Sequence, residues 1–358
     1  MTPQPLVLQV FRHPERLTEL TLADWDLLLR QATSANLVAS ICALLDEADL
    51  LEQVPLQARE HLEWSRTLAE RHIQAVHWEV RQIQKALANI DTPVILLKGA
   101  AYVEAKLPPY RGRLFSDIDI MVPKDLLGEV EAALMMHGWA ATHHDAYDQR
   151  YYRTWMHELP PMQHVKRQSV IDVHHAILPE TSAVRPDPEK LRAATLPLNG
   201  QDGLRVFAPV DLVLHSVVHL FYDGELDHGL RDLIDIHGLL AHFSDSPTFW
   251  DDLVMRAQEL ELTRPLFYAL RYAAQLLGTP VPVATISAAG IGRPNTLLLA
   301  IMDQLFGRAL LPVHTSCSDW LTGSARILLY VRATWLRMPP LMLARHLFHK
   351  AVFSRQSK

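Results

Sequence analysis

The chain has 358 residues, of which 49% are apolar and 21% are charged, and this balance excludes a globally disordered protein. Its formal net charge of −6 argues against a protein that coats nucleic acid with its whole surface. Two cysteines, Cys42 and Cys317, are too few for a disulfide scaffold or a cysteine-rich metal centre. We see neither an apolar stretch of membrane-spanning length nor a basic N-terminal leader, and we therefore expect a cytoplasmic protein.

Residues 1–90 have the spacing of amphipathic helices. Apolar side chains recur three and four positions apart in 37–45 and again in 62–87. Pro55 is expected to open the second helix, since its fixed φ suits the first helical turn. We therefore predict an N-terminal helical region over 1–90.

Residues 91–200 change to a mixture of strands and helices. The apolar run 94–97 predicts a buried strand, and the alternation of polar and apolar residues in 117–122 predicts another. Further strands are expected in 152–165 and 169–175. The order of these elements predicts an α+β fold whose core over 91–200 contains a small mixed β-sheet.

Residues 205–358 return to helical spacing, and the proline-containing segment 179–204 is the best candidate for a linker before them. Helices are expected at about 209–221, 229–243, 247–261, 264–277, 294–308 and 325–352. Seven Lys and Arg but no Asp or Glu lie between Trp320 and Lys358. We expect this basic tail to pack on the acidic body, the alternative being contact with an anionic surface such as a membrane.

Three carboxylates in the predicted strands carry the strongest chemical signal. Asp117 and Asp119 are two residues apart, so their side chains point to one face of the strand and repel each other unless a cation binds between them. Asp172 is a polar residue inside another apolar strand. If the two strands are neighbours, the three carboxylates could hold two Mg²⁺ ions across a transferring phosphoryl group. An isolated pair of this kind is more often structural or solvated.

Several residues around these carboxylates could bind an anionic substrate. Gly99 lies between a predicted strand and a helix, where backbone N–H groups can approach a phosphate. Lys98 and Arg113 could neutralise phosphate charge, although either could equally form a structural ion pair with an Asp of the site.

Three histidines are candidates for substrate binding or for a supporting role. His174 shares the strand face of Asp172 and could orient that carboxylate, contact substrate, or be a buried histidine with a satisfied hydrogen bond. His215 and His219 are four residues apart on a predicted helix and therefore share a face. They could bind zinc, line a substrate pocket or pack helices together. Arg231 and Asp235 are expected to form an ion pair along the next helix.

The chain resembles a known family over about residues 93–177. The resemblance lies in Leu97-Lys98-Gly99-Ala100, in Arg113-Leu114-Phe115-Ser116-Asp117-Ile118-Asp119-Ile120 and in Ile171-Asp172-Val173-His174. These motifs are similar to the nucleotidyltransferase fold of the DNA polymerase beta superfamily, and most of all to a poorly characterised bacterial nucleotidyltransferase family. The turn after Gly99 departs from the superfamily pattern because it has Ala100 where Gly or Ser is common.

The resemblance implies a nucleotidyltransferase core flanked by the N-terminal helices and by a C-terminal helical domain over 205–358. It implies that Asp117, Asp119 and Asp172 bind two Mg²⁺ ions, with Mn²⁺ as an alternative, and that Asp172 takes the proton of the acceptor.

The same resemblance assigns nucleotide binding to Lys98, Gly99 and Arg113. The implied reaction moves an NMP from an NTP, with ATP favoured, to a hydroxyl of a small molecule or protein, and releases pyrophosphate. Nucleic acid is disfavoured as the acceptor because the body of the protein is acidic. The alternative is a catalytically silent fold that binds nucleotide or acts as a scaffold.

Overall fold

The computed structural model describes residues 4–142, 152–198, 200, 203–222 and 224–339. Its N-terminal part is helical, as predicted, with α1 over Leu6–Arg12, α2 over Leu22–Ser34, α3 over Val38–Glu47 and α4 over Leu56–Leu87. Thr21 and Asp24 cap α2 reciprocally through side chain and backbone. Pro55 directly precedes α4, which is the position predicted for it.

A seven-stranded mixed sheet lies in the middle of the chain. Its strands are β1 (Val94–Leu96), β2 (Asp117–Met121), β3 (Trp139–Ala141), β4 (Met162–His164), β5 (Val170–His174), β6 (Leu196–Pro197) and β7 (Leu204–Val206). The spatial order is β3-β4-β5-β2-β1-β7-β6. Strands β2 and β5 are parallel, as are β1 and β7, and the other neighbouring pairs are antiparallel. Together with the flanking helices, this sheet confirms the predicted α+β fold.

The described residues of this central part include α5 over Lys98–Glu104, α6 over Leu127–Met136 and α7 over Pro188–Ala193. Helix α5 follows β1, and both α5 and α6 pack against the long helix α4. The N-terminal helices therefore support the helices that adjoin the sheet.

Two sequence predictions for the central part are wrong. The segment 179–204, which was predicted to be a linker, contains α7 and β6 and ends at the first residue of β7. Strand β7 pairs with β1, and its apolar residues Leu204 and Val206 are buried in the core. The proposed strand 152–165 is reduced to β4, because residues 152–155 are helical and prolines follow at 160 and 161.

The C-terminal part is helical, as predicted. Its helices are α8 (Pro209–Tyr222), α9 (Gly229–Phe243), α10 (Phe249–Glu259), α11 (Thr263–Tyr272), α12 (Val283–Ala289), α13 (Thr296–Ala309) and α14 (Thr322–Arg337). Phe221 of α8 packs against Tyr268, Tyr272 and Phe306, whose ring centroids lie 5.1–6.1 Å from its own. Buried apolar side chains from all three parts of the chain form one continuous core.

The described portion of the basic tail packs on the body of the protein. Helix α14 contacts α8 and α13. Arg326 pairs with Asp227 at 3.1 Å, and Arg332 donates to the carbonyl oxygen of Phe221 at 2.9 Å. Residues 340–358, which include the rest of the predicted helix 325–352, lie outside the described residues.

No single helix among the described residues is both long and apolar enough to cross a bilayer. Helices α2 and α3 reach that criterion only when taken together across a bend of 118°.

Candidate active site

The three predicted carboxylates lie on one face of the sheet. In the parallel pairing of β2 with β5, Asp119 is directly opposite Asp172, and Asp117 lies two residues before Asp119. Residues opposite each other in a ladder point to the same face, as do residues two apart on one strand. Asp117 and Asp172 line a cavity of about 460 Å³. The arrangement therefore concentrates negative charge at the wall of this cavity.

Asp119 is buried and is held by Lys98 and His174. Its Oδ1 atom accepts hydrogen bonds from Lys98 Nζ at 3.0 Å and from His174 Nε2 at 2.9 Å. Burial alone would raise the pKa of the Asp119 carboxyl, but these two partners outweigh burial and hold the pKa well below its usual range. Asp119 is therefore ionised at every physiological pH.

The pKa of Asp172 is shifted in the opposite direction from that of Asp119. Burial and the negative charges of Asp119 and Glu158 raise the pKa of Asp172 to about 7. Within the described part of the chain, its buried Oδ1 atom has no hydrogen-bond partner. A buried carboxylate oxygen without a partner is costly, so this atom is a natural ligand for a cation.

These carboxylates fit a hard divalent cation. Mg²⁺ takes oxygen ligands and uses one or two protein carboxylates together with water and phosphate oxygens. Asp117 and Asp172 present such oxygens to the cavity, and the unpartnered oxygen of Asp172 is the structural observation that favours an ion there. The ammonium of Lys98 lies 3.0 Å from Asp119 Oδ1 and already neutralises part of the charge of these carboxylates.

Lys98 and Gly99 form the turn between β1 and α5. Lys98 has a left-handed backbone with φ of 42°, and its side chain lines the cavity. A Cβ atom on Gly99 would lie 2.7 Å from the ring of Phe115, so the absence of a side chain permits close packing there. The sequence prediction assigned Gly99 to phosphate binding, and the structure adds a packing reason for glycine at this position.

Arg113 is not among the residues that line the cavity. Its guanidinium forms an ion pair with Asp235 of α9 and lies over the rings of Tyr102 and Phe115 at 5.7 and 5.9 Å. The structural ion pair that the sequence left open for Arg113 is thus formed, with a partner from the C-terminal helices. The predicted ion pair between Arg231 and Asp235 is wrong, because Arg231 instead binds Asp232 at 2.8 Å.

The predicted histidines all line the cavity. His174 lies between Asp119 and Glu158. Burial would lower the pKa of its imidazole, but the hydrogen bond to Asp119 and the negative charges of Asp119 and Glu158 outweigh burial and raise that pKa. His215 is buried on α8, and burial lowers its pKa well below the usual range. His219, one turn later, has its Nδ1 atom 3.9 Å from Asp232. The two helix histidines therefore form the wall contributed by α8.

Two further residues at this site were missed by the sequence analysis. His157 and Glu158 line the same cavity, and Glu158 Oε2 lies 3.3 Å from His174 Nδ1. Burial and the nearby His174 lower the pKa of His157 well below its usual range. Both residues lie in the segment 152–165, which was predicted to be a strand, and no functional role was predicted for them. The signal that could have found them is a pair of ionisable residues directly before Leu159, Pro160 and Pro161.

Comparison with protein families identifies a relationship that covers most of the chain. Residues 21–278 match the family described as uncharacterised nucleotidyltransferase. The matched range includes α2 to α11, the complete sheet and every residue of the cavity wall discussed above. No curated protein matches the chain.

Proposed function

The chain belongs to an uncharacterised nucleotidyltransferase family, and we propose that it transfers a nucleoside monophosphate from an NTP to a hydroxyl acceptor, with release of pyrophosphate. The observation that carries this proposal is the register of β2 and β5, in which Asp119 is opposite Asp172 and Asp117 shares their face. Three carboxylates on one face of the sheet, two of which line a cavity, could hold the divalent ions that stabilise a phosphoryl group in transfer.

We assign the metal ligands to Asp117, Asp119 and Asp172, with Mg²⁺ as the ion and Mn²⁺ as the alternative. When bound, such ions neutralise charge on the phosphoryl group that is transferred. Asp119 supports this role because it stays ionised. Lys98, which lines the cavity beside Asp119, is suited to share its charge with a phosphate oxygen of the substrate.

Asp172 is the residue best suited to accept the proton of the acceptor hydroxyl. A general base must lie within reach of the proton that it accepts, and Asp172 lines the cavity in which the acceptor would bind. Its buried Oδ1 atom is the proposed metal ligand, and the other carboxylate oxygen is proposed to receive the proton.

The acceptor pocket would lie between the sheet and α8, because residues of both line the cavity. His215 and His219 line the cavity from α8 and are proposed to contact the acceptor. The cavity volume of about 460 Å³ supports a small molecule or a single protein side chain as the acceptor. ATP is the favoured donor, and nucleic acid is disfavoured as the acceptor.

Nucleotide binding can be tested by thermal shift with ATP, GTP, CTP and UTP, each with and without Mg²⁺. A ligand raises the melting temperature of the state that it binds. We expect stabilisation that requires both Mg²⁺ and the carboxylates, so the Asp117→Asn/Asp119→Asn variant should lose it. The nucleotide with the largest shift identifies the donor.

The matched control is the Asp251→Asn/Asp252→Asn variant, which removes the same amount of charge from two exposed residues of α10. It should respond to nucleotide as the wild type does. Equal stabilisation of the site variant and the wild type would contradict the proposed metal site.

A catalytically silent fold that binds nucleotide or a partner is the second candidate. The ion pair between Lys98 and Asp119 favours it, because a cation from the protein itself then occupies one proposed metal ligand. Pyrophosphate release from NTP separates the two functions: transfer predicts release that depends on Asp117 and Asp119, and the silent fold predicts binding without release. Activity that survives the loss of both aspartates but not the His215→Ala/His219→Ala change would rule out the proposed mechanism.

A further inference from the structure

A second cluster of potential metal ligands lies beside the carboxylates. His157, Glu158 and His174 each offer a ligand atom, and these three atoms lie within 4.8 Å of one another. All three residues line the cavity. The proposed transfer reaction assigns no role to His157 or Glu158, so their convergence needs a separate explanation.

The backbone holds this cluster in place. The segment 157–159 runs antiparallel to β5, with the amide of Leu159 donating to Val173 at 2.9 Å and the amide of His175 donating to His157 at 2.8 Å. A bridge pairs Glu158 with His174 between these bonds. The two side chains are therefore set side by side by main-chain pairing, which does not depend on their own interaction.

His174 has the hydrogen-bond pattern of a metal-binding histidine. Its Nε2 atom lies 2.9 Å from Asp119 Oδ1, and its Nδ1 atom lies 3.3 Å from Glu158 Oε2. Metal-bound histidines commonly donate their second ring N–H to a carboxylate, which orients the ring and increases its basicity. With the proton on Nε2, the Nδ1 lone pair points toward Glu158.

The separations suit a small tetrahedral ion. Ligand atoms about 2.0–2.1 Å from Zn²⁺ are about 3.3 Å from one another in a tetrahedron. The distance from His174 Nδ1 to Glu158 Oε2 already has this value. His157 completes the set: its ring centroid lies 5.3 Å from that of His174, and its buried Nδ1 atom has no hydrogen-bond partner among the described residues.

We propose that His157, Glu158 and His174 bind one transition-metal ion of the zinc class, distinct from the ions at the carboxylates, with its remaining coordination position open to the cavity. Two imidazoles and one carboxylate favour such an ion over Mg²⁺, which prefers oxygen ligands. Binding through Nδ1 requires the neutral imidazole, so any proton on Nδ1 is released to solvent. Asp119 positions His174 and connects the two sites.

The test uses Co²⁺, whose visible absorption reports its coordination, titrated into full-length protein that has been stripped with chelator and returned to excess Mg²⁺. We expect one equivalent of Co²⁺ with the intense bands of low-coordinate geometry. His157→Ala and Glu158→Gln should each weaken Co²⁺ binding at least about 10-fold. His228→Ala is the matched control, because His228 lines the same cavity outside the cluster, and it should leave the titration unchanged.

The absence of these bands from the wild type, or an unchanged affinity in both cluster variants, would overturn the proposal. So would loss of the bands in Asp117→Asn alone, since the ion would then belong to the carboxylates. X-ray absorption on the zinc-loaded wild type needs no variant, and it should find two imidazoles and at least one oxygen ligand. Failure of nucleotide binding leaves these results unaffected, so the two proposals fail separately.

Discussion

Asp119 and Asp172 are neighbours in the sheet, yet their environments shift their pKa values in opposite directions. Lys98 and His174 bond to Asp119 and hold it ionised, whereas burial and nearby negative charge raise the pKa of Asp172 to about 7. Two acidic groups with separated pKa values can perform different tasks at one site. The pair thus provides one permanent anion and one group that exchanges a proton near neutral pH.

The raised pKa of Asp172 predicts a pH-dependent effect of Asp172→Asn on stability. The pKa in the folded state, about 7, exceeds the unfolded value of about 3.9, so the wild type loses stability as the pH rises between them. The variant carries no such charge. With chelator present, it should be more stable than the wild type above pH 7, by on the order of 2 kcal/mol.

Urea unfolding between about pH 4 and pH 8 measures this effect, and the difference should disappear toward the acidic end. A difference that does not change with pH would contradict the proposed ionisation of Asp172. Asp251→Asn, on the surface, is the control and should show no such trend.

Arg113 is predicted to be a structural anchor, since its buried guanidinium pairs with the buried carboxylate of Asp235. Arg113→Met leaves that carboxylate without its cation and should cost about 3–5 kcal/mol of unfolding free energy. Arg113→Met/Asp235→Asn removes both charges and should recover part of the loss. Urea unfolding measures both variants. If the double variant folds but no longer binds nucleotide, the nucleotide role expected from the sequence is correct instead.

At the scale of elements, the turn from β1 into α5 brings Lys98 to the cavity, and it depends on close contact with the loop before β2. A Cβ atom at Gly99 would collide with the ring of Phe115 at 2.7 Å. The ring is partly buried and packs against the core, which limits how far it can move aside. This contact connects the phosphate-binding turn expected from the sequence with the strand that carries two carboxylates.

Gly99→Ala is therefore expected to destabilise the protein by about 1–3 kcal/mol, the usual effect of overpacking. Gly307→Ala is the control: Gly307 lies within α13, and its Cβ would meet nothing within 4 Å. That change should stabilise the protein by up to about 1 kcal/mol, because alanine favours helix. Thermal unfolding of both variants tests the pair, and equal effects would show that packing at Gly99 is unimportant.

At the edge of the sheet, the linker predicted from local sequence is wrong. Prolines made 179–204 resemble a linker, but α7 and β6 fit between them and Leu204 begins β7. A strand of three residues has too little alternation to be recognised, and its pairing with β1 is a contact between distant parts of the chain.

For the whole molecule, one continuous core predicts one cooperative unfolding transition. The sequence divided the chain into 1–90, 91–200 and 205–358, and buried side chains from all three belong to the same cluster. Differential scanning calorimetry should therefore give equal calorimetric and van't Hoff enthalpies. Separate transitions would mean that the three parts fold independently, and the cavity between sheet and α8 would then depend on how they dock.

The sequence by itself determined the fold class, the main strands and the candidate carboxylates. These follow from local rules: side chains two apart on a strand share a face, so Asp117 and Asp119 could be assigned together. Asp172 was identified as a polar residue inside another apolar strand. The helical spacing of His215 and His219 placed both on one face for the same reason.

Only the tertiary structure decided which groups meet across the chain. It paired β2 with β5, directed Arg113 to Asp235, and brought His157 and Glu158 beside His174. Strand register and the choice of ion-pair partner depend on contacts between residues far apart in sequence. A buried charge pairs with an opposite charge that lies close to it in the folded core. The opposite pKa shifts of Asp119 and Asp172 have the same origin, because burial and neighbouring charges exist only once the chain has folded.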